Sequence, residues 1–553
     1  MEKKIDVKQK GAYIVTFAIL FVLIILPIVT IFGKAVMVDG RFDFSKAIQT
    51  IVAKDNLTTI GNSLLMGVLV VIVSTIISTP LAFLLARTRF AKWKWLDIVL
   101  MIPFMTPPYI SSMGWILFMQ KRGLFQQLFP WTGSVSESFF SLGGLVMVMT
   151  FHVFPFMTTM IKNAILNIGM NLEESAAVSG AGFLWRIRKV MLPLLTGNYA
   201  IAMLLVFVKT LSEYGTPSTL GNRIGFYVFT TDIHKYASTS PIDFGKASSL
   251  SGVLVIICML MWIVQSYTTA HHTYHLVGGK GQKNSLYQCK RSTEILGGIY
   301  ILLIIMVTIG VPYFSVIATS LIKLRGYGLA AGNFTFQHYI ELFTNNSKGW
   351  KAMLTSTFLA IISATIASIL GSLIVILVKK EKKWKKLIEG EALLPEMLPN
   401  IVLVIGMMLF WNKIYHILPI YNTIGFMVLV YVVMFLPYSV QYVSSALMQT
   451  GDSLIEAGKV CGGSKSYVLC HVTFPLIMRG VMQGWMMIFI IVFRELVAAS
   501  LISPPNVQTV STFIVSEFEQ GSASVAMAMA LICVLITTTL LIVLNYVTGR
   551  KRK

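Results

Sequence analysis

The chain has 553 residues, of which 56% are hydrophobic and only 12% charged, with a mean hydropathy of +0.75. Soluble proteins carry roughly 25% charged residues, so this composition excludes a soluble globular protein. The formal net charge of +22 would suit a nucleic-acid binder if the basic residues lined one exposed face. Here they fall in short clusters between long apolar runs, which is the pattern of cytoplasmic loops in a membrane protein, and no nucleic-acid partner is expected.

A spanning helix needs about 20 mostly apolar residues, and twelve stretches qualify. The first six are 12–33, 62–86, 97–119, 143–164, 196–216 and 248–269; the second six are 295–318, 353–378, 391–412, 422–446, 478–499 and 522–547. The first run is longer than a signal-peptide core and has no small-x-small cleavage site close behind it, so it reads as a retained membrane helix. Pro103, Pro107 and Pro108, with Pro395 and Pro399, are predicted to kink the third and ninth spans, because proline removes a helical hydrogen bond and clashes with the preceding turn. His152, in the fourth span, reads as a histidine satisfied inside the bundle. The five cysteines are scattered singly, with neither C-x-x-C nor Cys/His spacing, so no disulfide frame and no metal site is expected.

The basic clusters fix an orientation. Lys3, Lys4, Lys8 and Lys10 precede the first span. Arg87, Arg89, Lys92 and Lys94 follow the second, and Arg186, Arg188 and Lys189 follow the fourth. Lys280, Lys283, Lys290 and Arg291 follow the sixth, Lys379 to Lys386 the eighth, and Arg550-Lys551-Arg552-Lys553 the last. With twelve spans all of these lie on one side, and both termini are predicted cytoplasmic.

The chain also repeats. Pro155, Glu174, Gly180, Pro193 and Glu213 recur at an offset of 282 as Pro437, Glu456, Gly462, Pro475 and Glu495. Six spans per half give the halves the same orientation, a parallel repeat about an axis along the membrane normal. The predicted organisation is a first six-helix unit over 1–270, a polar cytoplasmic linker over 271–294 and a second six-helix unit over 295–553. The linker histidines His271, His272 and His275 are explained by a hydrated segment as well as by metal binding.

Two cytoplasmic loops carry the functional inference. Asn171-Leu-Glu-Glu174-Ser-Ala176-Ala177-Val-Ser-Gly180 follows the fourth span, and Ser453-Leu-Ile-Glu456-Ala457-Gly458-Lys-Val-Cys-Gly462 follows the tenth. Ser453 and Glu456 have capping-box spacing, with Asn171 as the corresponding cap. Glycine is then placed to end each short helix, and a proline stands thirteen residues further on. Each loop is therefore predicted to hold a short helix outside the membrane, with a small-residue face that another protein can approach closely.

These loops resemble the E-A-A loops of permeases in binding-protein-dependent ABC importers, with Ser175 and Gly458 as size-preserving departures. The resemblance covers the whole chain, as two fused permease units. It implies an all-α integral membrane protein of about twelve transmembrane helices in two parallel six-helix repeats, the type I ABC importer permease fold. Glu213-Tyr-Gly-Thr-Pro-Ser-Thr-Leu-Gly221 and Arg494-Glu495-Leu are most similar to the ferric-iron branch; related fused permeases serve aminoethylphosphonate and thiamine. The resemblance further implies two copies of a cytoplasmic ABC ATPase docked on the loops and an extracytoplasmic substrate-binding protein. No G-x-x-x-x-G-K-[ST] phosphate loop occurs in the chain, so no catalytic residue and no bound cofactor is expected here, and ATP is to be used by the partner subunit.

Ionisable residues within a span default to functional hypotheses. Lys209 and Glu213 lie four apart and are predicted to share a helix face; Arg494 and Glu495 stand at the equivalent level. The two glutamates either line the substrate path, where a hard cation prefers oxygen ligands, or brace the bundle against the neighbouring bases. Tyr214 lies at the same level. An ion-coupled secondary transporter would explain the topology and repeat but not the paired loops. An integral-membrane enzyme finds no cluster of catalytic residues to support it.

Overall fold

The computed structural model describes residues 7–38, 41–271, 286–287, 290–344, 347–379 and 381–549. His272 and His275 of the linker lie outside the described residues. The long helices are α1 (Lys10–Val36), α2 (Lys54–Arg87), α3 (Lys94–Met105), α4 (Pro108–Met119) and α5 (Leu142–Asn167), followed by the short α6 (Met170–Val178). Next come α7 (Ile187–Ser212), α8 (Phe244–Thr268), α9 (Arg291–Leu321), α10 (Lys348–Val378), α11 (Lys383–Met397), α12 (Asn400–Lys413) and α13 (Ile424–Gln449). The short α14 (Asp452–Val460), then α15 (Ser466–Phe493) and α16 (Ala523–Val543) complete the set. A two-residue antiparallel ladder joins Met37–Val38 to Arg41–Phe42.

Ten of these helices are each long and apolar enough to span a membrane, and the count reaches twelve when each of two bent pairs is one span. The bent pairs fall where the prolines predict kinks. α3 and α4 meet at 87° and α11 and α12 at 111°. The breaks come at Thr106-Pro107 and Leu398-Pro399, in extended conformation, while Pro103 and Pro395 sit inside helix. A residue before proline is pushed out of the helical region, which places each break one step before Pro107-Pro108 or Pro399. Pro27, Pro193, Pro312 and Pro475 act more gently. Each stands two residues after the end of a five-residue π turn, Phe21–Ile25, Ile187–Met191, Met306–Gly310 and Leu469–Thr473. The wider turn absorbs the lost N–H and the ring clash without bending the helix sharply.

The chain folds into two compact units that are not contiguous in sequence. One comprises 53–232 with 256–335, the other 1–52 with 233–255 and 336–553. The 1–270 and 295–553 halves describe the repeat, whereas in space the leading helix of each half belongs to the unit built around the other half. In the first unit α9 crosses α4, where a Cβ on Gly114 would stand 2.8 Å from the Pro312 carbonyl oxygen. In the second α1 crosses α12, where a Cβ on Gly406 would stand 2.7 Å from the Pro27 carbonyl oxygen. Glycine at both crossings lets the backbones approach closely, as small residues do between membrane helices. Stacking of Tyr13 on Trp384, centroids 5.7 Å apart, also joins α1 to α11.

Candidate functional site

The two loops singled out by the repeat form the same structure. α6 and α14 are nine-residue helices, and each ends on a glycine in the left-handed region, Gly180 at φ 83° and Gly462 at φ 86°. Ala181 N–H donates to the Ala176 carbonyl at 2.9 Å and Gly180 N–H to that of Ala177 at 3.0 Å; Gly463 donates to Gly458 at 3.1 Å and Gly462 to Lys459 at 3.0 Å. This is the Schellman pattern, which satisfies the last free carbonyls. Nothing lies within 4 Å of a Cβ built on either glycine, so backbone conformation alone requires glycine there.

The starts of the helices differ from expectation. Gly169 and Gly451 are the N-caps, with no side-chain capping bond in either helix. The Ser453–Glu456 capping box does not form, and Asn171 does not occupy the cap position. Glycine adopts the extended cap conformation at no steric cost, so each helix begins before the predicted capping residue and carries it inside the first turn.

Glu174 and Glu456 are exposed, as are Ala177 and Ala457, while Ala176 and Gly458 are half-buried. Glu174 and Val178 lie one turn apart and share a face, as do Glu456 and Val460. Val178 is 90% and Val460 87% exposed. Leu172 and Leu454 are exposed too, and so are Trp185 and Tyr467 just beyond the helices. All three pairs obey the offset of 282, the signal that could have found them in the sequence. Each loop thus presents a carboxylate, a leucine and a valine on a helix that does not span, with an aromatic ring just beyond it.

Glu173, one residue before the landmark glutamate, points the other way and is buried at 1% exposure. Its Oε1 lies 3.5 Å from Nη2 of the fully buried Arg87 at the end of α2. The same Nη2 donates to the carbonyls of Ile165 at 3.0 Å and Ile168 at 2.7 Å. The Tyr287 hydroxyl donates to Glu173 Oε2 in a short hydrogen bond, and Tyr287 N–H donates to the Arg87 carbonyl at 2.8 Å. Phe83 and Phe183 pack on the Tyr287 ring, and the Arg186 guanidinium lies over it. Burial, then the hydrogen bond to Glu173 and its charge, push the Tyr287 phenol above its ordinary value.

The substrate-path candidates occupy matching turns. Glu213 is the first residue past α7, in extended conformation (φ −74°, ψ 132°). It therefore does not continue the helix face of Lys209, whose ammonium lies over the rings of Phe104 and Phe156 at 5.5 and 5.2 Å. Glu213 Oε1 accepts the Gly215 N–H at 2.7 Å, and its carbonyl accepts the Thr230 hydroxyl at 2.7 Å. Arg494 is the C-cap of α15, and Glu495 follows it at 7% exposure. Glu495 Oε2 accepts from the N–H groups of Ala498 at 3.0 Å and Ala499 at 3.1 Å, and its carbonyl accepts the Ser511 hydroxyl. Both carboxylates thus hold the backbone of the turn that follows them. Tyr214 is buried beside Glu213. His152 Nδ1 lies 3.1 Å from the Pro103 carbonyl, with the ring stacked on Phe104, inside its own bundle. Among the described residues no three His, Cys, Asp or Glu side chains gather as a metal site.

The chain matches the family described as binding-protein-dependent transport system inner membrane component twice, over residues 78–270 and 367–553. It belongs to that family. Each match contains one loop and its glutamate turn. The ferric transport system permease protein FbpB of Actinobacillus pleuropneumoniae is 24% identical over 98% of this chain and 78% of its own length. The putative ferric transport system permease protein FbpB 1 of Haemophilus influenzae is 25% identical over 88% and 77%. The spermidine/putrescine transport system permease protein PotC of Haemophilus influenzae, 26% identical, covers 43% of this chain with 91% of itself. That is the relation expected of a single permease unit to a fused pair. The chain is a fused, two-unit inner-membrane transport permease and not an enzyme.

Proposed function

We propose that this permease is the membrane subunit of an ATP-driven importer for ferric iron. Two copies of a cytoplasmic ABC ATPase dock on the α6 and α14 loops, and an extracytoplasmic binding protein delivers substrate to the opposite face. The observation that carries the proposal is the pair of non-spanning helices with identical glycine ends and matched exposed residues, Glu174, Leu172 and Val178 against Glu456, Leu454 and Val460. Exposed apolar side chains rimmed by charge on both loops are what a docking surface requires. The basic clusters support a reading in which these loops, and both termini of this chain, face the cytoplasm.

ATP closes the two ATPases and moves the docked helices. α6 passes that motion through Glu173 and Arg87 to α2, and α14 passes it through the π turn into α15. The units then alternate between outward- and inward-open states. ATP is bound by the partner and not by this chain. Glu213 and Glu495 are proposed to flank the path, with their carboxylates fixed by backbone N–H groups. Ferric iron as cargo rests on the whole-length similarity to ferric permeases.

Reconstitution with the ATPase and binding protein tests the proposal. Labelled ferric iron should enter vesicles only with ATP and both partners. Uptake of aminoethylphosphonate or thiamine in its place would overturn the cargo, and ion-gradient-driven uptake without an ATPase would overturn the class.

A further inference from the structure

We propose that the first unit binds one anionic phospholipid, with an acyl chain held in a cavity beside the α6 loop and the headgroup against the surrounding cations. The cavity has a volume of about 490 Å³, within the roughly 300–1,000 Å³ of small-molecule sites. Its wall is almost wholly apolar and comes from four elements: Phe83 and Leu84 of α2, Phe183 just after the α6 loop, Leu195 of α7, and Leu296 and Tyr300 of α9. It runs along α2 from Thr88 to Thr79, about 14 Å of helix at 1.5 Å per residue. That depth takes it from the basic end of the helix into the apolar part of the span.

The cavity opens at the surface of its unit, where Leu296 is 66% and Leu192 40% exposed. An apolar slot of this kind within a membrane fills with hydrocarbon. The charge around it selects the headgroup. Among the described residues the one carboxylate in the lining, Glu294, is paired with Arg89 at 2.9 Å. Exposed Arg188 and Lys189 stand on the π turn whose Ile187 and Met191 line the cavity, and exposed Lys290 and Arg291 stand three and two residues before its Thr293. These four exposed cations each stand within three residues of a lining residue, and with the lining acid already paired they favour an anionic over a zwitterionic headgroup, as basic pockets between membrane helices do. Phe183 also contacts the Tyr287 ring that anchors Glu173, so an occupied cavity stiffens the seat of α6. The inference uses the proposed orientation only to say which leaflet supplies the lipid.

The full chain in nanodiscs, with both faces accessible, provides the test without reference to transport. A phosphatidylglycerol probe carrying a diazirine near the end of one acyl chain should label peptides containing Phe83, Leu195 and Tyr300. It should do so more than the matching phosphatidylcholine probe, by about fivefold for each cation engaged. Reversing Arg188→Glu, Lys189→Glu and Arg291→Glu together should remove the preference and keep acyl labelling. Leu192→Trp with Leu296→Trp should block labelling by both probes. Equal labelling of the wild-type chain by the two probes would overturn the anionic assignment. Labelling spread evenly over lipid-facing helices would overturn the site itself, and both of these readings need no variant to fold.

Discussion

α6 and α14 end on the same left-handed glycine and expose the same residues, yet they are fastened differently. α6 is held by a buried ion pair, Glu173 with Arg87, completed by Tyr287. At the position equivalent to Glu173, α14 has the half-buried Ile455. In place of Ala176 it has Gly458, where a Cβ would lie 3.3 Å from Val472 and 3.4 Å from Val468. One loop is latched by charge, the other by close apolar packing. The shared features face outward, where the proposed ATPase would read them; the divergent ones face inward, where any anchor of sufficient strength serves.

The largest effect should separate the two anchors. Glu173→Ala leaves Arg87 buried without its carboxylate and should cost about 3–5 kcal/mol, read as a drop in the apparent Tm of the purified chain and faster hydrogen exchange in α6. Ile455→Ala truncates a half-buried side chain and should cost about 1 kcal/mol. Equal costs would break the contrast. Gly180→Ala and Gly462→Ala should instead match each other at about 1–2 kcal/mol, because both force a Cβ into the left-handed region with open space around it; hydrogen exchange in α6 and α14 reads this directly. A still smaller change is expected from Tyr287→Phe, about 1 kcal/mol for one hydrogen bond, confined to the α6 loop.

The pH dependence of that last difference has a definite sign. The folded-state phenol lies above its unfolded value, so its contribution is complete below about pH 10 and is lost as pH rises through the folded value. The Tm gap between the wild type and Tyr287→Phe should be flat through neutral pH and shrink only in strong alkali. For the proposed path, Glu213→Gln with Glu495→Gln retains carbonyl oxygens to accept the backbone N–H groups while removing both charges. Reduced uptake with unchanged ATPase association is the expected outcome, and unchanged uptake kinetics would make bracing their whole role.

Much of this was legible in the sequence because it is local or periodic. Spans follow from apolar length, the glycine ends of α6 and α14 from a requirement few other residues meet, and the bends from proline. The anchors were not legible. Glu173 adjoins the landmark Glu174, but about 100° of helical rotation puts it on a different face, and its partner Arg87 is 86 residues away. The caps were misplaced because Asn171 and Ser453 have the right chemistry, yet the residue that leaves helical conformation decides the cap, and the glycines at 169 and 451 do so first. The exchange of leading helices depends on Gly114 meeting Pro312 and Gly406 meeting Pro27, pairings that no local pattern announces.

The central claim, that α6 and α14 are two equivalent docking helices, is tested most directly by counting bound ATPase subunits on the purified permease by mass photometry. The wild type should carry two copies, Glu174→Arg and Glu456→Arg one each, and the double variant none, with every variant inserted in the membrane. Two copies retained on the double variant would contradict it.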